Sequence, residues 1–181
     1  MTNINDWNHA LAGGSFPCAK ELQGSLIELV RALQPNIFLT LVFNQHTSTI
    51  SARQTLKHFY SGIERRCFGK EFYKRAPAER LIAMAFPEHI TSNFHYHIIG
   101  HLPRHQHVTL PVYAKMTWKK LCPAGSLDVH HIGSDTDRTK IASYSCKEVF
   151  KAQNYENFIV STEFWNSSLR GCFQQEILAQ R

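Results

Sequence analysis

No apolar run in this sequence approaches the ~20 residues that a membrane span needs, so no membrane partner is expected. The first residues show no basic segment followed by an apolar one, so no secretory signal is expected and the chain reads as cytoplasmic. Cys-x-x-Cys pairs are absent too. The five cysteines, Cys18, Cys67, Cys122, Cys146 and Cys172, stand far apart, and an odd count does not suit a disulfide framework. They read as reduced thiols. Neither an internal repeat nor a low-complexity linker is present. Gly69-Lys70 does not end a phosphate-binding loop, because Glu64 stands where that motif requires glycine, so no helicase or ATPase module is expected. Acidic residues are in the minority: 14 Asp and Glu face 20 Lys and Arg, a formal charge of +6, with 11 histidines besides. A basic surplus of this size points to a polyanionic partner.

What is present suits one compact domain: 181 residues, 43% hydrophobic and 19% charged. Residues 1–17 read as an arm or loose cap. Leu22, Leu26, Leu29, Val30 and Leu33 recur at helical spacing over 19–33, and Pro35-Asn36 breaks the pattern. Ile37–Phe43 reads as a buried strand. Thr49 to about Phe72 reads as a helix that carries Arg53, Lys57, Arg65, Arg66 and Lys70, with Phe59 and Tyr60 among the charges. Strands are predicted over Arg80–Phe86, ended by Pro87, then over Phe94–His101 and Leu127–Ile132, with a short one at Phe158–Val160. A helix over 112–121 surrounds Trp118, and Asp135 or Thr136 caps another that runs through Ile141, Tyr144 and Phe150. Strands and helices without strict alternation predict an α+β fold, an antiparallel sheet with helices packed on it.

The strongest local signal is Phe94-His95-Tyr96-His97-Ile98. Alternate residues of a strand share a face, so His95 and His97 stand together while Tyr96 and Ile98 turn toward a core. Two neighbouring imidazoles suit a divalent metal. A third ligand is expected where a hairpin from Arg80 to His101 returns the preceding strand to His95, at Glu88 or His89. Glu88 is preferred, because a carboxylate suits Mg²⁺ or Mn²⁺. A bare His-x-His pair is otherwise two polar residues on a solvated sheet face.

The second signal is Tyr144 with Lys147, which share a face at i, i+3 on a helix. A free phenol titrates near ~10 and is a weak nucleophile until cations assist it. Lys147 and a metal are such cations. By itself the pattern also describes a packed tyrosine beside a surface lysine.

Phe38-Leu39-Thr40 in a first strand, His95-Tyr96-His97 in a central strand and Tyr144-x-x-Lys147 in a late helix occur in the order of three family motifs. That order resembles the replication-initiator branch of the HUH endonucleases. Trp118-x-x-Leu121, a glycine-containing turn and the strand Val129-His130-His131-Ile132 resemble the usual lead-in to the tyrosine helix. The resemblance spans residues 36–151. It implies a sheet of ferredoxin- or RRM-like topology in an endonuclease domain over 36–165, after an N-terminal arm and helix (1–35) and before a C-terminal tail (166–181). His95, His97 and Glu88 are then expected to hold Mg²⁺ or Mn²⁺. Tyr144, aided by Lys147, is expected to attack a DNA phosphodiester, leaving a 5′-phosphotyrosine and a free 3′-OH.

The expected activity is site-specific nicking and rejoining of single-stranded DNA at an origin that initiates rolling-circle replication, with a host helicase as partner. Arg53, Lys57, Arg65, Arg66 and Lys70 are the expected DNA contacts, with aromatics for base stacking. The same chemistry in a relaxase or a single-strand transposase is the near alternative; a non-catalytic nucleic-acid-binding module is the distant one. A histidine-triad hydrolase fits poorly, since position 99 is Ile. His101, His105 and His107 are expected at the rim, one of His130 and His131 on the site face, and Tyr155 past the helix, so a second nick would need another protomer, Tyr155 or a host nuclease.

Overall fold

The computed structural model describes residues 19–103, 106–147 and 158–165. The arm, the tail, His105, Phe150 and Tyr155 lie outside the described residues. Among the described residues the elements run α1 (Ala19–Ala32), β1 (Ile37–Val42), α2 (Thr49–Phe68), β2 (Ile82–Glu88), β3 (His95–His101), α3 (Leu110–Leu121), β4 (Ser126–His131), α4 (Asp135–Ser145) and β5 (Ile159–Val160). The sheet has the order β4-β1-β3-β2-β5, every neighbouring pair antiparallel. From β1 to β4 this is the split βαβ arrangement of ferredoxin-like folds, so the expected α+β class is found.

Strand parity decides what each face of the sheet holds. Ile37, Leu39 and Leu41 of β1, Ala83 and Ala85 of β2, and Tyr96 and Ile98 of β3 face α2 and α3, which add Leu56, Phe59, Ile63, Leu110 and Trp118. Each such large apolar side chain contributes about 1.5–3 kcal/mol when fully buried. On the opposite face Met84, Phe86 and Ile99 pack against Leu26 and Val30 of α1 and against Ala142 of α4. His95 and His97 share the parity of Ile99 and therefore lie on the α4 side.

Several boundaries and surroundings depart from the sequence reading, among them the end of α4 at Ser145, which leaves Lys147 beyond the helix it was expected to share with Tyr144. Pro87 sits inside β2, paired with Tyr96. Among the described residues β5 pairs only with Met84 and Ala85, so no described strand on that side needs the N–H that Pro87 lacks. α2 stops at Phe68, because Gly69 takes φ +84° and its N–H closes onto the Arg65 carbonyl. Lys70 is thus off the helix. Ser134, not Asp135 or Thr136, caps α4, its hydroxyl accepting from the Asp137 N–H at 3.1 Å. Phe59 and Tyr60 are 0% and 2% exposed, core residues rather than stacking platforms.

Gly125 is demanded by close approach to backbone and ring atoms that cannot give way. A Cβ at Gly125, in the turn from α3 to β4, would lie 2.6 Å from Trp118 Nε1 and 2.6 Å from the Val42 carbonyl oxygen.

Candidate metal centre and tyrosine

The β2–β3 register sets Glu88 across from His95 and Phe86 across from His97. The pleat sends Glu88, His95 and His97 to the same face, where α4 crosses β3. Glu88 Oε2 lies 3.1 Å from His95 Nε2 and 3.2 Å from His97 Nε2. Glu88 is 2% exposed and His97 4%. Two residues beyond the end of α4, Lys147 brings its Nζ to 3.5 Å from Glu88 Oε1 and 3.7 Å from the ring centroid of Tyr144. The Tyr144 ring meets His97 edge-on at 5.1 Å between centroids. Tyr144 itself is 46% exposed, so a large substrate can reach it.

Neighbouring groups orient both imidazoles. His95 Nδ1 lies 3.0 Å from the Asn93 carbonyl, which only accepts, so Nδ1 carries the donated proton. In a neutral His95 ring, Nε2 then presents its lone pair toward a carboxylate oxygen. Both atoms face a point where a cation is favourable, and the Lys147 ammonium approaches the same carboxylate from its other oxygen. His97 Nδ1 lies 3.1 Å from Thr40 Oγ1, its partner across the β1–β3 ladder, and its ring stacks on Phe38 at 5.4 Å. Among the described residues, buried His97 Nε2 and Glu88 Oε1 make no hydrogen bond of good geometry; the first touches Glu88 Oε2 and the second pairs with Lys147 Nζ. A buried carboxylate beside two oriented imidazoles is a donor set whose chemistry suits a divalent ion.

Burial pushes His97 below the ordinary histidine range, against the pull of the Glu88 carboxylate, which favours the neutral ring that can act as a ligand. For Lys147, burial works against the charge, but the contacts with Tyr144 and Glu88 outweigh it and raise the ammonium above the usual lysine value. Among the described residues, the ligand atoms that all lie within 4.8 Å of one another belong to Glu88, His89 and His95; His97, expected as a ligand, touches Glu88 but lies outside that group.

The five expected DNA contacts are not brought to this site. Arg53, Lys57, Arg65 and Arg66 lie on α2, behind the sheet, and Lys70 follows it. Arg53 pairs with Glu163 and lies over the Phe164 ring, and Arg66 Nε donates to Thr117 Oγ1 at 3.2 Å. Arg65 and Lys70 are exposed and Lys57 half-buried. His101 donates to the Gln34 carbonyl at 2.8 Å, while His107 donates to the Leu102 carbonyl and stacks on His131. His130 is on the site face beside Phe38 and is held by Asp128 at 2.7 Å. Thr40 and Asn93 were missed as orienting groups. Strand parity opposite His97 was the available signal for Thr40; none existed for Asn93, which acts through its backbone.

Compared with known proteins, the chain matches no family model, no curated protein and no solved structure.

Proposed function

We propose that the chain is a metal-dependent nickase of single-stranded DNA of the HUH type, with Tyr144 as nucleophile. The observation that carries this reading is the meeting on one sheet face of Glu88, His95 and His97 with Lys147 and an exposed Tyr144. A divalent ion bound there, Mg²⁺ or Mn²⁺, supplies charge neutralisation at the scissile phosphate.

The chain's own residues do the rest. Glu88, His95 and His97 form the seat, held rigid by β2 and β3, while Thr40 and the Asn93 carbonyl fix the ring orientations. The Tyr144 oxygen attacks phosphorus: its O–P bond forms, the bond from phosphorus to the 3′ oxygen breaks, the phenolic proton passes to solvent and the 3′ oxygen takes one up. Lys147 places a positive charge beside the attacking phenol and the phosphate it meets. Because the phosphoester is retained as 5′-phosphotyrosine, the 3′-OH can reverse the step without ATP.

In biological terms this is the nick that starts rolling-circle replication of a plasmid, phage or other mobile element, with strand separation left to a host helicase. The order of the motifs, with the histidine strand ahead of the tyrosine helix, favours that role over a relaxase.

The test is cleavage of a pool of labelled single-stranded oligonucleotides in Mn²⁺. The wild type is expected to cut; EDTA, Tyr144→Phe and His97→Ala are each expected to stop it. Tight DNA binding without cleavage in any metal would instead make the protein a non-catalytic binding module.

A further inference from the structure

The chain reverses direction immediately after Glu88. His89 takes φ +50°, and its carbonyl accepts from the Ser92 N–H at 3.0 Å. Glycine or asparagine adopts that left-handed conformation most readily, so turn chemistry alone does not ask for histidine here. What the turn achieves is to carry the imidazole over His95, with ring centroids 5.2 Å apart and planes at 38°. One ligand atom from each of Glu88, His89 and His95 then falls within 4.8 Å of the other two, and Glu88 Oε2 also touches His97 Nε2 at 3.2 Å.

We propose that His89 is a ligand of this centre, with Glu88 and His95 as its closest partners and His97 adjoining through Glu88, and that this imidazole-rich site selects a transition ion over Mg²⁺. The inference rests on the metal-centre reading above. Mg²⁺ prefers oxygen donors and gives up its waters reluctantly, whereas imidazole nitrogen suits the transition ions. Each added imidazole therefore moves preference from Mg²⁺ toward Mn²⁺ and, more strongly, Co²⁺. Glu88 and His97 form the buried floor of the site, while His89 stands exposed at its rim, the side from which an ion enters.

His89→Gly keeps the turn, since glycine accepts a positive φ, and removes only the ring. The full chain, stripped of metal, is titrated with Co²⁺, Mn²⁺ and Mg²⁺ by calorimetry, and with Co²⁺ by visible absorption. The wild type is expected to bind Co²⁺ at least about tenfold more tightly than Mg²⁺. Loss of an outer partner of a ligand already costs roughly 10–100-fold, so His89→Gly is expected to weaken Co²⁺ at least about tenfold, shift the cobalt band and leave Mg²⁺ nearly unchanged. Co²⁺ binding and spectrum unaltered by His89→Gly would overturn the proposal, as would equal wild-type affinity for Mg²⁺ and Co²⁺. A His95→Ala/His97→Ala variant, checked for folding by circular dichroism, separates the two levels. If it loses the metal while His89→Gly does not, only the role of His89 falls; if neither loses it, the metal centre falls too.

Discussion

Thr40 and His97 face each other across the β1–β3 ladder, and the 3.1 Å contact between Oγ1 and Nδ1 decides which way that imidazole presents its other nitrogen. Thr40→Val keeps the shape and removes the oxygen. It is expected to weaken Mn²⁺ binding by roughly 10–100-fold without changing the secondary structure, measured by calorimetry and circular dichroism. His97 also makes a prediction about acid. Because burial depresses its folded pKa, the unfolded chain binds the proton more readily below the ordinary value of 6.5. This contribution to stability is complete above that value and is lost as the pH falls through the folded pKa. In EDTA, the Tm of the wild type is therefore expected to fall more steeply from pH 7 to pH 5 than that of His97→Gln.

Among the elements, the turn from α3 to β4 and the anchoring of β2 are the points where one change does most. Gly125→Ala forces a methyl to within 2.6 Å of both the Trp118 ring and the Val42 carbonyl, and is expected to cost about 1–3 kcal/mol by thermal melting. Just before β2, buried Arg80 grips buried Glu64 through two bonds of 2.8 Å. Arg80→Ala strands that carboxylate and is expected to cost about 3–5 kcal/mol.

The strands and the histidine pair were readable because a period of two leaves few choices: once Tyr96 and Ile98 face the core, His95 and His97 cannot. Glu88 followed from the hairpin. Other features depend on tertiary neighbours that no local pattern reveals. Pro87 lies beyond the described pairing of β2 with β5, a tertiary circumstance that its own sequence does not announce. The cap of α4 falls at Ser134, one residue before the expected Asp135 or Thr136, because the chain's approach to the helix and not residue type alone selects it. Phe59 and Tyr60 lie close in sequence to basic residues, yet the helix turns them inward.

For the molecule as a whole, the sheet separates two roles. Its α2/α3 face is the larger apolar core; its α4 face carries the histidines, the carboxylate and the tyrosine. The basic residues of α2 belong to the first side, so under the proposed function they would reach a DNA strand at the tyrosine only through long-range charge, which salt screens. Neutralising Lys57, Arg65 and Lys70 together is expected to leave cleavage of short oligonucleotides within about twofold at 0.15 M salt, whereas Lys147→Met is expected to lower it about 10²-fold or more.

The central claim is covalent, and intact-mass spectrometry tests it most directly. The protein is incubated with single-stranded oligonucleotides and Mn²⁺, denatured, weighed and then digested to map the modified peptide. The account predicts a species heavier by one 5′-phosphorylated DNA fragment, attached at Tyr144 and missing both in EDTA and in Tyr144→Phe. An adduct mapped to another residue, or cleavage with no adduct at any time point, would contradict it.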